Sequence, residues 1–267
     1  MCRLYGVTRA GFYAWQQRCA SYRDIENAAL LRRIKAIHED SDSTYGSPRI
    51  TSQLKQEGVK VGRHRVARLM RENQVKAKAA TLYYRKSAAH NLFYASIPNR
   101  GLKALATQPN QVWVGDVTYL KVGTEWRYLA VVMDKCSRRI VGCSLGKERT
   151  VSLTLKALNQ ARQARRPSSG LLFHSDRGAE YGAYAYRQRL ASLGIVQSMN
   201  RPGRMTDNAF MESFFHSMKA DVIHGRRFES DKELRSVVRR YMSFYNEQRL
   251  HSGLNYLPPA KFEAMIG

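Results

Sequence analysis

Acidic side chains are scarce in this chain of 267 residues. Its 21 Asp and Glu stand against 45 Lys and Arg, a formal charge of +24 at pH 7 and a pI near 10.3. Such an excess points to a polyanionic partner, either nucleic acid or an anionic membrane surface. Long apolar runs are missing too. The longest near the centre is Leu129 to Met133, far short of the roughly 20 residues of a membrane span, and no secretory signal opens the sequence. Cysteine is sparse: Cys2, Cys19, Cys136 and Cys143 form no C-x-x-C pair. That excludes a secreted disulfide scaffold and reads as reduced thiols in a cytoplasmic protein. A zinc site needs Cys and His in close pairs, and His38 and His64 are separated from both cysteine pairs. What is present is a 43% hydrophobic fraction, enough for a packed core and against wholesale disorder.

The charge is unevenly spread. Residues 1–106 hold 20 basic and 7 acidic groups, residues 107–222 hold 17 and 9, and residues 223–267 hold 8 and 5. The most basic part per residue is the first, which places the nucleic-acid reader there. Thr8 is a plausible N-cap for an aromatic-bearing helix through Trp15. Ile25, Ala28, Leu31, Ile34 and Ile37 recur at a helical period over 24–38. Ser47-Pro48 opens a second helix, with Ile50 and Leu54 inside and Gly58 as its stop. A third helix over about 62–73 puts Val66, Leu69 and Met70 on one side and His64, Arg65, Arg68 and Arg71 on the other. Three short helices with a basic third one read as a helix-turn-helix domain over 1–75, with the basic side as the DNA-binding face in the major groove. A solvated charged face is the plainer alternative. Residues 76–109 form a basic linker in which Lys76, Lys78, Arg85 and Lys86, interleaved with Tyr83 and Tyr84, follow a phosphate backbone or simply tether the domains.

From residue 111 the period becomes that of a strand. Val112, Val114, Asp116, Thr118 and Leu120 share one face, Gly123 turns the chain, and further strands are expected over 127–133, 139–145, 171–174 and 195–199. Helices are expected over about 150–165 and 183–193, and from Thr206 until Pro258. Hairpin-connected strands followed by alternating helix and strand describe a mixed α/β sheet. Trp113 and Trp126 are expected in its core, and Asp134 as a turn cap at the end of the second strand.

Three carboxylates stand out. Asp116 interrupts a strand of Val, Trp and Tyr, a costly position unless it is paired or metal-bound. Asp176 follows a short strand in His174-Ser175-Asp176-Arg177-Gly178. Glu212 lies on a helix whose wheel gathers Asn208, Glu212, His216 and Lys219 on one side and Phe210, Met211, Phe214, Met218 and Val222 on the other. Carboxylate oxygens suit Mg²⁺ or Mn²⁺. Taken alone, Glu212 is also readable as an exposed helix carboxylate paired with His216.

Between Asp116 and Asp176 lie 59 residues, and between Asp176 and Glu212 lie 35. With this spacing the sequence resembles the DDE transposases and integrases. More narrowly it resembles the second-frame (OrfB-type) proteins of the insertion-sequence-3 family, over nearly its whole length. The blocks that carry the likeness are Tyr45-Gly46-Ser47-Pro48-Arg49-Ile50, Trp113-x-x-Asp116-x-Thr118-Tyr119, His174-Ser175-Asp176-Arg177-Gly178-x-x-Tyr181, Asp207-Asn208-Ala209-x-x-Glu212-Ser213-Phe214-Phe215-x-x-x-Lys219 and Tyr245-Asn246-x-x-Arg249-x-His251-x-x-Leu254. Asp221 keeps the family's acidic residue two after the lysine. Leu257-Pro258-Pro259 replaces its usual Ser-Pro or Thr-Pro.

The resemblance implies a ribonuclease H-like catalytic core over 110–222, with a mixed five-stranded sheet and a C-terminal helical extension over 223–267. It implies Asp116, Asp176 and Glu212 as catalytic and metal-ligating residues for two Mg²⁺ ions, with Mn²⁺ as a substitute. The reaction would be hydrolysis at the element ends, then strand transfer by the freed 3′-OH, with no covalent protein–DNA intermediate. Lys219 and Asn208 are expected to contact DNA. His174 and Arg177 are expected to support the Asp176 loop, and Arg249 and His251 to pack helices or bind backbone. The expected partners are double-stranded DNA (terminal inverted repeats and target), further copies of the chain in a synaptic complex, and an upstream-frame partner or fusion, since the chain begins inside a helical unit. The setting would be the bacterial cytoplasm, at the nucleoid. A non-catalytic DNA-binding regulator and a nuclease of the same fold are the competing functions.

Overall fold

The structure, a computed structural model, describes residues 6, 8–16, 21–78, 97–101, 104, 106–201 and 205–266. Cys2, Cys19 and the Tyr83–Lys86 part of the basic linker lie outside the described residues. The chain forms two compact units, residues 1–77 and 78–267. No described helix is long and apolar enough to cross a membrane.

The first unit is all helical: α1 (Arg9–Gln16), α2 (Tyr22–Asp40), α3 (Ser47–Gln56) and α4 (Arg63–Glu72). Thr8 Oγ1 accepts from Gly11 N at 3.1 Å, capping α1. Helix α2 starts at a capping box: Asp24 N donates to Ser21 Oγ, and Ser21 N donates back to the Asp24 carboxylate. Pro48 in the first turn of α3 forfeits no helical hydrogen bond, and Gly58 follows the helix at φ +81°. Leu30, Ile34 and Ile37 of α2 are buried, as are Ile50 and Leu54 of α3 and Val66, Leu69 and Met70 of α4. Ile25, expected on the buried stripe of α2, is exposed.

The second unit is built on a five-stranded sheet in the order β3-β2-β1-β4-β5, with β1 (Val112–Val122), β2 (Glu125–Asp134), β3 (Ile140–Gly146), β4 (Leu172–Ser175) and β5 (Val196–Met199). The β1–β2 and β2–β3 pairs are antiparallel; β1–β4 and β4–β5 are parallel. Gly123, at φ +55°, sits in the two-residue turn between Val122 and Glu125. Helices α5 (Val151–Arg165), α6 (Ala179–Gly182) and α7 (Tyr184–Ser192) cover one face, in a cluster with Trp113, Ala130, Val132 and Phe173. Helices α8 (Ala209–Met218) and α9 (Asp231–Glu247) cover the other, against Val114, Leu120, Leu129 and Val131. The alternation of residues along β1 thus serves two cores, one on each side of the sheet.

Two further expectations fail. The helical stretch from Thr206 does not run to Pro258. After a π-type turn over Lys219–Ile223 the chain leaves the helix at His224, with Gly225 at φ +79°, and restarts only where Ser230 caps α9 by accepting from Glu233 N. Helix α10 (Pro259–Ile266) begins beyond the expected end. Trp113 is fully buried, but Trp126 is 49% exposed, because it lies at the hairpin end of β2, beyond the reach of the covering helices.

Candidate active site

The pairing of β1 with β4 builds the site. Their parallel register runs from Val112↔Leu172 to Gly115↔Ser175 and stops there. Asp116 and Asp176 are each the next residue after that last pair, so the fork where two parallel strands part carries one carboxylate on each prong. Open α/β sheets bind ligands at the carboxyl ends of their strands for this kind of reason. The close approach needs a glycine: a Cβ on Gly115 would come within 2.5 Å of Phe173 Cζ, and that ring is held by Tyr181 and Tyr186.

Both carboxyls are raised. Burial, then the charge of Asp176, pushes the Asp116 carboxyl well above the usual range. Asp176 is raised by burial and by the nearby Glu180. Asp116 Oδ1 accepts from Val117 N at 2.7 Å, and Asp176 Oδ1 from Gly178 N at 2.9 Å. One oxygen of each is therefore fixed to its own backbone, Asp116 within β1 and Asp176 in the loop after β4. Two acidic groups crowded at a half-buried fork suit a cation that would relieve their repulsion.

Glu212 is exposed, in the first turn of α8, and its carboxyl is raised by burial alone, with no contribution from either aspartate. Among the described residues no three His, Cys, Asp or Glu side chains stand close enough together to hold one metal ion. The structure thus joins Asp116 with Asp176 and leaves Glu212 apart.

Asn208 is not on an exposed face with Glu212. The chain before α8 is a 3₁₀ turn (Met205–Asn208), not a regular helix, so the wheel does not extend back to it. Asn208 is buried, and its Nδ2 donates to the Gly115 carbonyl at 3.1 Å. It ties α8 to the strand of Asp116 instead of facing a phosphate. Lys219 lies half-buried with Nζ 4.4 Å from the centre of the Tyr119 ring. Burial lowers its pKa and the Asp116 charge opposes that.

Supporting residues fall into place around the fork. His174 bonds Ser198 and Asn200 at 2.9 and 2.8 Å, and Arg177 donates to the Asn200 and Ile97 carbonyls. Both stabilise the loop. Asp134 caps its turn by accepting from the backbone N–H of Asn110, Cys136 and Ser137. Arg249 is buried on Asp221, which also accepts from Tyr241. Three residues had no role assigned from the sequence. Arg149 spans Glu180 at 2.7 Å and Asp176 at 3.8 Å, and Asp207 clamps the approach to α8 through Asn99 and Arg201. Glu180 alone left a signal, a carboxylate four residues after Asp176 beside the apolar Tyr181.

On α4, His64 and Arg71 are exposed. Arg65 instead donates to Asn27 and Glu26 of α2, and Arg68 to Glu72 of its own helix.

The chain matches an HTH-like domain family over residues 24–81 and integrase core domain families over 106–205 and 193–259. It is 40% identical over 265 residues to the insertion element IS600 uncharacterized 31 kDa protein of Shigella sonnei, covering 98% of this chain and 97% of that one. It is 35% identical over 277 residues to the transposase InsF for insertion sequence IS3A of Escherichia coli (strain K12), covering 98% and 92%. A chain in the cryo-EM structure of the simian T-cell lymphotropic virus intasome in complex with PP2A regulatory subunit B56 gamma shares its fold. The TM-score is 0.50 at 15% identity, covering 86% of this chain and 74% of that chain.

Proposed function

Starting from a chain that belongs to the insertion-sequence-3 family of transposases, we propose that Asp116, Asp176 and Glu212 are its catalytic, metal-holding carboxylates. The reaction class follows from the family: the protein is a DNA transposase, a polynucleotidyl transferase of the DDE type. The observation that carries the residue assignment is the fork after Gly115↔Ser175, where two carboxylates stand as adjoining strands part and the charge of Asp176 raises the proton affinity of Asp116.

Asp116 and Asp176 would hold divalent cations, with Glu212 completing the set from α8. Two Mg²⁺ ions, or Mn²⁺ in their place, would supply Lewis-acid activation of the attacking oxygen and stabilisation of the leaving one. This chain's own residues do the positioning. Asn208 and Asp207 fix the start of α8, and Arg149 restrains the second oxygen of Asp176. No side-chain nucleophile is required, because water and then a 3′-OH attack phosphorus. Lys219 contacts the DNA backbone next to the carboxylates. His64, Arg65, Arg68 and Arg71 form the separate DNA-reading face of α4, with Arg65 and Arg68 exchanging their internal partners for phosphates. Terminal inverted repeats and target duplex are the substrates, and several copies of the chain, joined by an upstream-frame partner or fusion, assemble on them at the bacterial nucleoid. Neither a non-catalytic regulator nor a plain nuclease is better supported, since all three carboxylates and the DNA-reading unit are retained.

Labelled element-end duplex incubated with the protein and Mg²⁺ tests the assignment. Glu212→Gln is expected to lower cutting and joining about a thousandfold, the several kcal/mol of charge stabilisation that a metal supplies. Equal activity of variant and wild type would remove Glu212 from the site.

A further inference from the structure

An exposed aromatic pair stands on the β1–β2 hairpin, past the point where β4 ends. Tyr119 and Trp126 are 57% and 49% exposed. Tyr119 lies opposite Tyr128 and Trp126 opposite Lys121, so the two rings are diagonal neighbours on one face of the hairpin. They meet edge to face, with centres 5.1 Å apart and planes at 90°. Lys121 Nζ lies 5.7 Å from the Trp126 ring, and Lys219 Nζ lies 4.4 Å from the Tyr119 ring. The surface therefore runs cation, indole, phenol, cation. Nothing in the sheet asks for this at solvent-facing positions, where polar residues are the rule. Two large rings leave apolar faces in water that a flat, π-bearing ligand between flanking cations would cover.

The place of the pair says which ligand. Tyr119 is three residues beyond Asp116, roughly 10 Å along the strand and on its other face. Lys219 also lies within reach of the Asp116 charge. A base inside a duplex has both faces stacked already, so only an unpaired nucleotide presents a face to these rings. Phosphates on either side of that nucleotide would meet the two lysines.

We propose that Tyr119 and Trp126 form a stacking platform for an unpaired base of the DNA strand whose phosphodiester lies at Asp116 and Asp176, with Lys121 on the adjoining phosphate. The platform rests on the reading of the carboxylate fork as the catalytic site. Because every base has a π face, its preference is for single-stranded character, not for sequence.

The test is binding of the whole chain to a duplex with a four-nucleotide single-stranded tail and to the blunt duplex of the same sequence. It is followed by fluorescence anisotropy in EDTA, where nothing is cut. Trp126→Ala and Tyr119→Ala are each expected to weaken tailed-duplex binding about tenfold, the usual loss for one stacked base, and to leave blunt-duplex binding within twofold. Trp126→Phe keeps most of the tail preference. Trp126→Leu, which keeps apolar bulk at a position that tolerates it, loses the preference as Ala does. A 2-aminopurine in the tail should be quenched by wild type and not by Trp126→Leu. Trp126→Leu binding the tail like wild type, or weakening tailed and blunt duplex alike, would overturn the platform. Failure of the catalytic reading shows elsewhere, as Glu212→Gln cutting normally, and leaves the tail measurement unaffected.

Discussion

Asp207 is tied four times: its carboxylate accepts from Asn99 Nδ2 at 2.7 Å, from Arg201 N and Nε at 2.9 and 3.1 Å, and from Arg201 Nη2 at 2.9 Å. The hydrogen bonds from the Arg201 side chain hold its carboxyl down to about 2, against the opposing effect of burial. A carboxyl whose folded pKa lies below its unfolded value adds stability above about pH 4 and loses it as pH falls through 2. Arg201 is half-exposed, so water screens the pair, and the contribution is set at about 1 kcal/mol. Urea unfolding is expected to show wild type losing that much more stability than Asp207→Asn between pH 5 and pH 2; parallel losses would show that the clamp is not formed. What the sequence says at this scale depends on environment. Asp116 announces itself because a carboxylate among Val, Trp and Tyr has to be compensated. Asp207 and Arg149 look like ordinary surface charges until the fold brings them to Arg201 and Glu180, contacts that no local pattern encodes. Asn208 misleads for a geometric reason, since the 3₁₀ turn before α8 breaks the helical wheel.

Helix α5 crosses β3 without a spacer at Gly142. A Cβ there would overlap the carbonyl oxygen of Ala157 and press on Ala161 at 2.9 Å. The obstacle is helix backbone, which cannot rotate aside as a side chain can. Gly142→Ala is expected to destabilise the protein by about 2 kcal/mol, a fall of roughly 5 °C in Tm. Gly253→Ala, where an added methyl meets open space, should be close to neutral. Thermal unfolding of the two variants side by side checks this, and equal Tm values would mean that α5 sits farther from β3 than the structure has it. The elements themselves were largely legible. Alternation along β1, the Gly123 turn and the Ser47-Pro48 and Gly58 helix limits are local signals with local causes. The exit from helix at His224 was less so: Gly225 and the Ser230–Glu233 cap mark it locally, but reading the stretch from Thr206 as one helical run passes over them. Trp126 defeats the rule that large aromatics are buried, since its position on the hairpin, not its side chain, decides its exposure.

For the whole molecule, the scarcity of acid has a consequence that single residues do not show. Many of the 21 acidic groups are engaged internally: Glu26, Glu57 and Glu72 pair within the first unit, and Glu125, Glu180, Asp207, Asp221, Asp231 and Glu263 pair within the second. These nine acids are thus neutralised locally by arginines, and the chain as a whole keeps its net +24. A surface of that kind binds duplex DNA mainly by releasing its counterions, so log K falls linearly with log salt at a slope of about −0.9 per phosphate neutralised. For about six to ten phosphates, affinity should drop roughly 10³- to 10⁵-fold between 50 and 200 mM salt. Arg71, exposed on α4, is a position where this can be tested. Arg71→Ala should reduce the slope by about one and weaken all sequences alike if it holds a phosphate. If instead it reads a base edge, the loss is confined to element-end DNA and the slope stays the same. A salt titration of wild type and variant on end and unrelated duplexes separates the two. A flat titration for wild type would mean that the +24 charge is not what holds the DNA.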